Sequence, residues 1–163
     1  MRPLDIASIS LIVQDPLFRP RRLFVERICK LLQLKKIPFE FISLLPLIAH
    51  EPDAELKQLV SRFLMKICKQ QSMEDPSKGA AAEKTFTRLL YILSHHPDFS
   101  TDLGDIQLFS AYISFFLQNV ATALNVSYLY YMAAKIKTAK DATVDSNEVD
   151  CRSALIFPEF IFA

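Results

Sequence analysis

The chain contains one motif twice. Residues 44–53 read Leu44-Leu45-Pro46-Leu47-Ile48-Ala49-His50-Glu51-Pro52-Asp53. Forty-five positions on, residues 89–98 read Leu89-Leu90-Tyr91-Ile92-Leu93-Ser94-His95-His96-Pro97-Asp98. Both are apolar helical turns that close on His-X-Pro-Asp. A proline cannot continue a helix, and its ring pushes the residue before it out of the α region. The aspartate that follows can accept a hydrogen bond from an exposed N–H of the next helix. Each copy therefore encodes a helix end, a turn and a new helix start, which limits the chain to alternating helices.

A period near 45 residues falls in the window of HEAT and armadillo arrays, in which two or three helices form one unit. With 163 residues the chain is one domain or a short array. At 51% hydrophobic and 23% charged residues it can bury a core. Only two glycines occur, Gly79 and Gly104, which argues against β-meanders and glycine-rich phosphate loops. No apolar run reaches the roughly 18 residues needed to span a bilayer, so no membrane partner is expected. Asp5 and Gln14-Asp15-Pro16 interrupt the N-terminal apolar run, which is not a secretory layout. Cys29, Cys68 and Cys151 are odd in number and far apart, which favours a reducing compartment. The formal net charge of +1 exerts no global pull toward nucleic acid.

Taken in order, residues 4–14 suit a short helix closed by Asp15-Pro16. Arg21 to Lys36 follows, with Leu23, Phe24, Ile28, Leu31 and Leu32 on one face. Pro38 suits the first turn of a helix running to about His50, apolar nearly all round and so buried on several sides. After Asp53, residues Leu56, Leu59, Val60, Phe63, Leu64 and Ile67 keep helical spacing. Lys57, Gln58, Ser61, Arg62, Lys66 and Lys69 lie opposite. Residues 72–79 read as a loop. Ala80 to His95 is a helix with Phe86, Leu89, Leu90 and Leu93 inward. Asp105 is the expected cap of a helix carrying Ile106, Phe109, Ile113, Phe116, Leu117 and Val120. Ser127 is the expected cap of another, to about Lys140, with Leu129, Met132, Ala133 and Ile136 on one side. After a polar loop at 141–147, a last short helix ends before Pro158.

Eight such helices predict an all-α fold, an α-solenoid of HEAT-like antiparallel helix pairs. Residues 1–163 are read as a single stretch of such an array. Its four pairs span 4–36, 38–71, 80–124 and 127–157, and residues 158–163 form an apolar tail. Terminal repeats need polar outer faces to stay soluble, and neither end provides one. Ile6, Ile9, Leu11, Ile12 and Val13 at one end, and Leu155, Ile156, Phe157, Phe160, Ile161 and Phe162 at the other, are expected to expose apolar surface. Self-association, or binding of a partner, is expected through these uncapped ends.

Reactive constellations are sparse. His50, His95 and His96 sit at helix ends, where imidazoles bond free carbonyls or favour the dipole. Cys29 and Cys68 lie on or near apolar stripes and behave as small hydrophobes. Asp141, Asp145, Glu148 and Asp150 lack the spacing and glycine of a calcium loop. There is no nucleophile elbow, P-loop or dinucleotide fingerprint, and the chain is read as no enzyme, with no catalytic, cofactor-binding or metal site and no cofactor. Tyr128, Tyr130 and Tyr131 have core spacing, and an exposed ring among them would be a partner contact. The feature with a candidate function is basic: Arg19, Arg21, Arg22, Arg27, Lys30, Lys35 and Lys36 against Glu26. These side chains can attract phosphate or a partner, each neutralised phosphate adding salt-dependent affinity. The other reading is a solvated face balanced by acids on a neighbouring repeat.

The central stretch also follows the HEAT pattern in detail: Leu44-Leu45-Pro46 in a first helix, Asp53 at the turn, and Leu56-Lys57 opening the second. The second copy has Tyr91 in place of Pro46 and a longer turn. More specifically, the order of Arg21–Lys36, Ile37-Pro38-Phe39-Glu40-Phe41, Ala49-His50-Glu51-Pro52-Asp53, Leu93-Ser94-His95-His96-Pro97-Asp98-Phe99 and Lys135-Ile136-Lys137-Thr138-Ala139-Lys140-Asp141-Ala142 resembles late HEAT repeats of the precocious-dissociation-of-sisters family. These are large cohesin-associated proteins of sister-chromatid cohesion. Phe157-Pro158-Glu159-Phe160-Ile161-Phe162 is similar to the proline-aromatic segment that follows those repeats. The resemblance covers about residues 17 to 162.

The resemblance implies a nuclear, chromatin-associated, non-enzymatic scaffold. Its implied partners are the cohesin complex, through the kleisin subunit, and the cohesin release factor, with DNA a weaker candidate. Family members are many times longer, so the chain reads as a fragment or truncated product. The alternative is a generic HEAT-like protein-interaction or nucleic-acid-binding helical module.

Overall fold

A computed structural model describes residues 6–74, 81–100 and 102–136, and every regular element among them is helical. In chain order these are α1 (Ile6–Val13), α2 (Phe18–Gln33), a 3-10 helix (Phe39–His50), α3 (Ala54–Glu74), α4 (Ala81–Ser94), α5 (Leu103–Val120) and α6 (Val126–Ile136). The fold is all-α and of the helical-repeat type.

The 3-10 helix is the centre of the molecule, packing against α1, α2, α3, α4 and α5. The sequence predicts a helix here, buried on several sides, and residues 42–49 are all buried. The winding is tighter than expected. Pro46 has no N–H to donate, and in an α-helix its ring would press on the carbonyl four residues back. A turn of three residues instead sorts the side chains into three rows. Ile42, Leu45 and Ile48 form one, Phe41, Leu44 and Leu47 a second, and Ser43, Pro46 and Ala49 a third. Two rows are bulky and apolar, and the third is small enough for a neighbour to approach closely. Ser43 stays dry because its hydroxyl donates to the Glu40 carbonyl at 2.7 Å. At a rise of about 2.0 Å per residue the segment reaches about 24 Å, against about 18 Å as an α-helix.

Three helices lie side by side on one flank. The start of α2 meets the start of α3, with Arg22 Nη1 3.8 Å from Glu55 Oε2. Lys57 sits over the Phe115 ring at 5.7 Å, and the Ser61 hydroxyl meets the Asn119 side chain, so α3 and α5 run in the same direction. Such parallel neighbours are what stacked helix pairs produce. On the other flank α4 packs on the 3-10 helix and α6 on α4.

The apolar stripes of α3, α4 and α5 are inward. Leu56, Val60, Leu64 and Ile67 are buried on α3, and Phe86, Leu89, Leu90 and Leu93 on α4. Phe86 stacks on Phe116 at 5.8 Å between centroids. Because α5 meets α3, α4 and the 3-10 helix, its buried face is wider than the periodicity suggests and takes in Tyr112 and Phe115.

Both Pro-Asp pairs lie between helices, but they close differently. Asp53 caps α3, accepting from the Leu56 N–H at 2.8 Å. Asp98 caps nothing: its side chain is 84% exposed, and the chain runs on to α5 at Leu103. Asp105 lies inside the first turn of α5 and accepts from the Ser100 hydroxyl at 2.5 Å instead of capping. Ser127 lies within α6, and Asn125 closes that turn. It accepts from the Thr122 N–H at 2.7 Å and donates to the Val120 carbonyl at 3.0 Å. α2 ends on Lys35, whose φ of 53° is left-handed, with the Lys36 N–H reaching back to the Leu31 carbonyl at 2.9 Å.

Other expectations change as well. The segment expected to be a loop from 72 begins as helix, since α3 runs to Glu74. Tyr128, Tyr130 and Tyr131 are all exposed, because α6 rests on α4 and buries only a narrow stripe at Leu129 and Ala133. At the N-terminal end Leu11 and Ile12 are exposed, whereas Ile6 and Val13 are buried and Ile9 packs on the core. The acidic set at 141–150, Cys151, the last short helix and the apolar tail lie outside the described residues.

Leu45 is fully buried in the central helix. Leu45→Ala is expected to cost about 3 kcal/mol by leaving a cavity that five helices cannot all collapse into. Leu23→Ala, at a position 66% exposed, should change stability by under about 0.5 kcal/mol. Urea unfolding of the two variants checks the contrast.

Candidate functional site

Two polar features stand out: a junction where the repeated turns meet, and a groove on the α2–α3 flank. In each His-X-Pro-Asp copy the buried residue is X. Glu51 is 8% exposed and His96 6%. Both reach the α1–α2 turn. Glu51 takes a two-pronged pair from Arg21, with Nε at 2.5 Å and Nη2 at 3.0 Å, and also accepts from the Asp53 N–H at 3.1 Å. The same guanidinium donates from Nη1 to the Asp15 carbonyl at 2.5 Å. His96 Nε2 lies 2.6 Å from Gln14 Oε1, and the Gln14 amide donates to the Tyr112 hydroxyl at 2.7 Å. The Asp98 N–H donates to His96 Nδ1 at 3.2 Å. Nδ1 is thus the acceptor and Nε2 carries the proton, which is the neutral ring. Burial lowers the His96 pKa below its ordinary value, against a smaller opposing pull from Asp98.

Of the other histidines, His95 behaves as expected, bonding the Tyr91 carbonyl of its own helix at 2.9 Å. His50 instead bonds the Leu108 carbonyl of α5 at 2.9 Å and sits edge-on to Tyr112. Lys57 satisfies the end of the 3-10 helix, donating to the Ala49 carbonyl at 2.6 Å. Gln14, His50 and Tyr112 line two adjoining cavities of about 380 and 290 Å³ at this junction.

The basic set of α2 is divided by the fold. Arg21 is spent on Glu51, with its side chain only 14% exposed. Lys35 forms the left-handed end of the helix. Arg19, Arg27 and Lys36 are exposed. Arg22 and Lys30 line a groove of about 750 Å³ between α2 and α3, together with Arg62 and Lys66 of α3. Arg22 is bracketed by acids, 2.9 Å from Glu26 and 3.8 Å from Glu55. The hydrogen bond to Glu26 raises its pKa. Among the described residues Lys30, Arg62 and Lys66 form no ion pair; the Arg62 Nε–H donates weakly to the Gln58 carbonyl at 3.3 Å. The floor is apolar, made of Leu56, Leu59 and Phe63 beside Cys29. Burial pushes the Cys29 thiol up to about 12, so it is an un-ionised wall atom at neutral pH and no nucleophile. Arg62 and Lys66 were legible only as the polar face of α3. Their spacing of four puts them on one side of that helix, but nothing in the sequence says that α2 lies there.

Helices stacked on both flanks of a buried central helix define a helical-repeat protein of the HEAT type. Comparison with known proteins sharpens this: the chain belongs to the PDS5 family, whose profile, "Sister chromatid cohesion protein PDS5 protein", matches residues 1–154. It is 35% identical over 148 residues to "Sister chromatid cohesion protein pds5" of Schizosaccharomyces pombe, covering 88% of this chain and 12% of that one. It is 28% identical over 158 residues to "Sister chromatid cohesion protein PDS5" of Saccharomyces cerevisiae, covering 92% of this chain and 12% of that one. A Dictyostelium discoideum "Sister chromatid cohesion protein PDS5 homolog" is 28% identical over 140 residues, 78% of this chain and 9% of that one. The chain spans about an eighth of the length of the two yeast relatives.

The junction generates two expectations. Glu51→Ala leaves the mostly buried Arg21 guanidinium without its carboxylate and is expected to cost about 3 kcal/mol. The double variant Arg21→Met with Glu51→Leu should recover more than half of that loss in urea unfolding. For His96 the folded pKa lies below the unfolded value of about 6.5, so the unfolded chain binds the proton more readily. Stability from the neutral ring is therefore present above about pH 6.5 and lost as pH falls toward the depressed folded pKa. The wild-type chain is expected to lose stability between pH 7.5 and 5.5, and His96→Gln should flatten that slope in paired denaturation curves.

Proposed function

We propose that the chain is a segment of a non-enzymatic scaffold of sister-chromatid cohesion, acting in the nucleus on chromatin. It binds cohesin, through the kleisin subunit or the cohesin release factor, by exposed helix faces. The observation that carries this reading is the family match across residues 1–154. The described helices support it physically: the buried core is apolar, and the polar groups at the junction bond to one another across helices. The helix pairs 4–36, 38–71, 80–124 and 127–157 are then successive units of a longer HEAT array. The exposed Leu11, Ile12, Leu17 and Leu23 near one end offer apolar surface for a neighbouring repeat or a second copy. A nucleic-acid-binding module is the second reading, favoured by the exposed Arg19, Arg27 and Lys30 of α2 and Lys36 just beyond its end.

The test uses the purified chain immobilised on beads and offered reconstituted cohesin at physiological ionic strength. Retention of the kleisin-containing complex is expected, undiminished by His95→Ala, which removes an imidazole from the helix end and leaves the packing intact. No retention by this chain, where a full-length PDS5 protein retains the complex, overturns the reading for this segment. Binding to duplex DNA whose affinity falls steeply with salt, without cohesin binding, favours the second reading instead.

A further inference from the structure

The groove between α2 and α3 has a polarity along its length. At its N-terminal end Glu26 and Glu55 flank Arg22. At its C-terminal end Lys30, Arg62 and Lys66 face a common space with Gln33, and among the described residues no acid lines that end. Between the rims runs the apolar floor of Leu56, Leu59 and Phe63, the last two only partly buried. From Arg22 to Gln33 the groove is about 16 Å long at 1.5 Å per residue.

We propose that this groove docks an acidic amphipathic helix of a protein partner, about three turns long. Its apolar face lies on Leu59 and Phe63, and its carboxylates pair with Lys30, Arg62 and Lys66. Three observations select this occupant. The described residues contain no strand whose edge could be extended, which removes strand addition as a mode of recognition. Two neighbouring helices of the same direction present ridges into which a third helix packs. The unpaired cations call for an acidic ligand, while the apolar floor between them, with Glu26 and Glu55 at one end, disfavours a phosphate backbone, which would carry negative charge along the whole groove. The aligned cations fix the direction in which such a helix lies, since its acidic end must meet Lys30 and Lys66.

The inference deepens the scaffold reading, on which it rests for its biological partner, but the groove is tested without any cohesin subunit. Failure of the groove and failure of the scaffold are therefore separate results. The probe is a fluorescent peptide of about 14 residues, with Leu at helical spacing, Glu in the half meant to meet Lys30 and Lys66 and Gln in the other half, titrated with the full chain and read by anisotropy. Binding is expected, with the triple variant Lys30→Glu, Arg62→Glu, Lys66→Glu weakening it about tenfold or more. Arg19→Glu, Arg27→Glu, Lys36→Glu changes the net charge equally outside the groove and should leave affinity within about twofold. A peptide with Ser for Leu should bind at least about tenfold more weakly. All six substituted residues are exposed, and circular dichroism confirms the fold. The proposal is overturned by no peptide binding, by equal losses in the two triple variants, by indifference to the Leu-to-Ser change, or by a single-stranded oligonucleotide binding more tightly than the peptide.

Discussion

A helical stretch with no solvent-facing side must be enclosed by its neighbours, and residues 42–49 of the 3-10 helix impose that constraint on the described chain. Residues 42–49 are all buried. Each bulky side chain removed from water favours the fold by about 1.5–3 kcal/mol before entropy is subtracted, but only if partners exist on every side. No single helix pair encloses it. α1 and α2 before it and α3, α4 and α5 after it all contribute. The central helix therefore couples segments far apart in sequence, and the described part of the array behaves as one cooperative body more than as independent repeats. The 3-10 winding serves the same end, because three rows of side chains suit contact on all sides better than one amphipathic stripe.

Enclosing an apolar rod leaves the turns at its ends with polar groups to satisfy, and here the repeated motif acquires its meaning. Proline ends each helix and biases the residue before it away from the α region, and in both copies that residue is buried. In one copy that residue is Glu51, in the other His96, and their partners Arg21 and Gln14 lie seven residues apart around the α1–α2 turn. A charged pair and a neutral pair thus fasten both turns to one hairpin. Each is buried with its hydrogen-bond partner, which is the condition for a polar group to be tolerated inside. This fastening also brings α1 against α4, a contact that reaches beyond nearest neighbours in a simple linear stack.

The elements legible in the sequence are those set by local chemistry. Helical stripes such as Leu56–Ile67, the breaks at Pro52 and Pro97, and the cap at Asp53 depend on residues within a turn of one another. What escaped depends on tertiary neighbours. Asp98 has the same local sequence as Asp53 and caps nothing, because the chain beyond it takes a longer path to α5. The rings of Tyr128, Tyr130 and Tyr131 have core spacing and stand in solvent, because α6 has one main neighbour among the described helices. The histidines drew notice as chemistry-bearing residues, yet the glutamate in the equivalent place was as deeply buried. Nothing in a single sequence marks a polar residue as inward-facing until its partner is known.

The basic residues show most clearly why a charge pattern along one helix is not yet a site. Seven cations on and around α2 looked like one surface. The fold assigns Arg21 to an internal carboxylate, ties Arg22 to two acids, bends the chain at Lys35 and leaves Arg19, Arg27 and Lys36 scattered over the outside. Among the described residues a positive rim forms where two helices pool what remains: Lys30 from α2 with Arg62 and Lys66 from α3, over an apolar floor supplied by α3. In a stack of helices each surface groove belongs to two neighbours. Its charge is set by pairs of sequence segments about one repeat apart. Counting charges on one helix therefore overestimates attraction where acids lie across the groove and underestimates it where cations do. For a chain whose net charge is only +1, such local pooling is what gives a surface its selectivity for one class of partner.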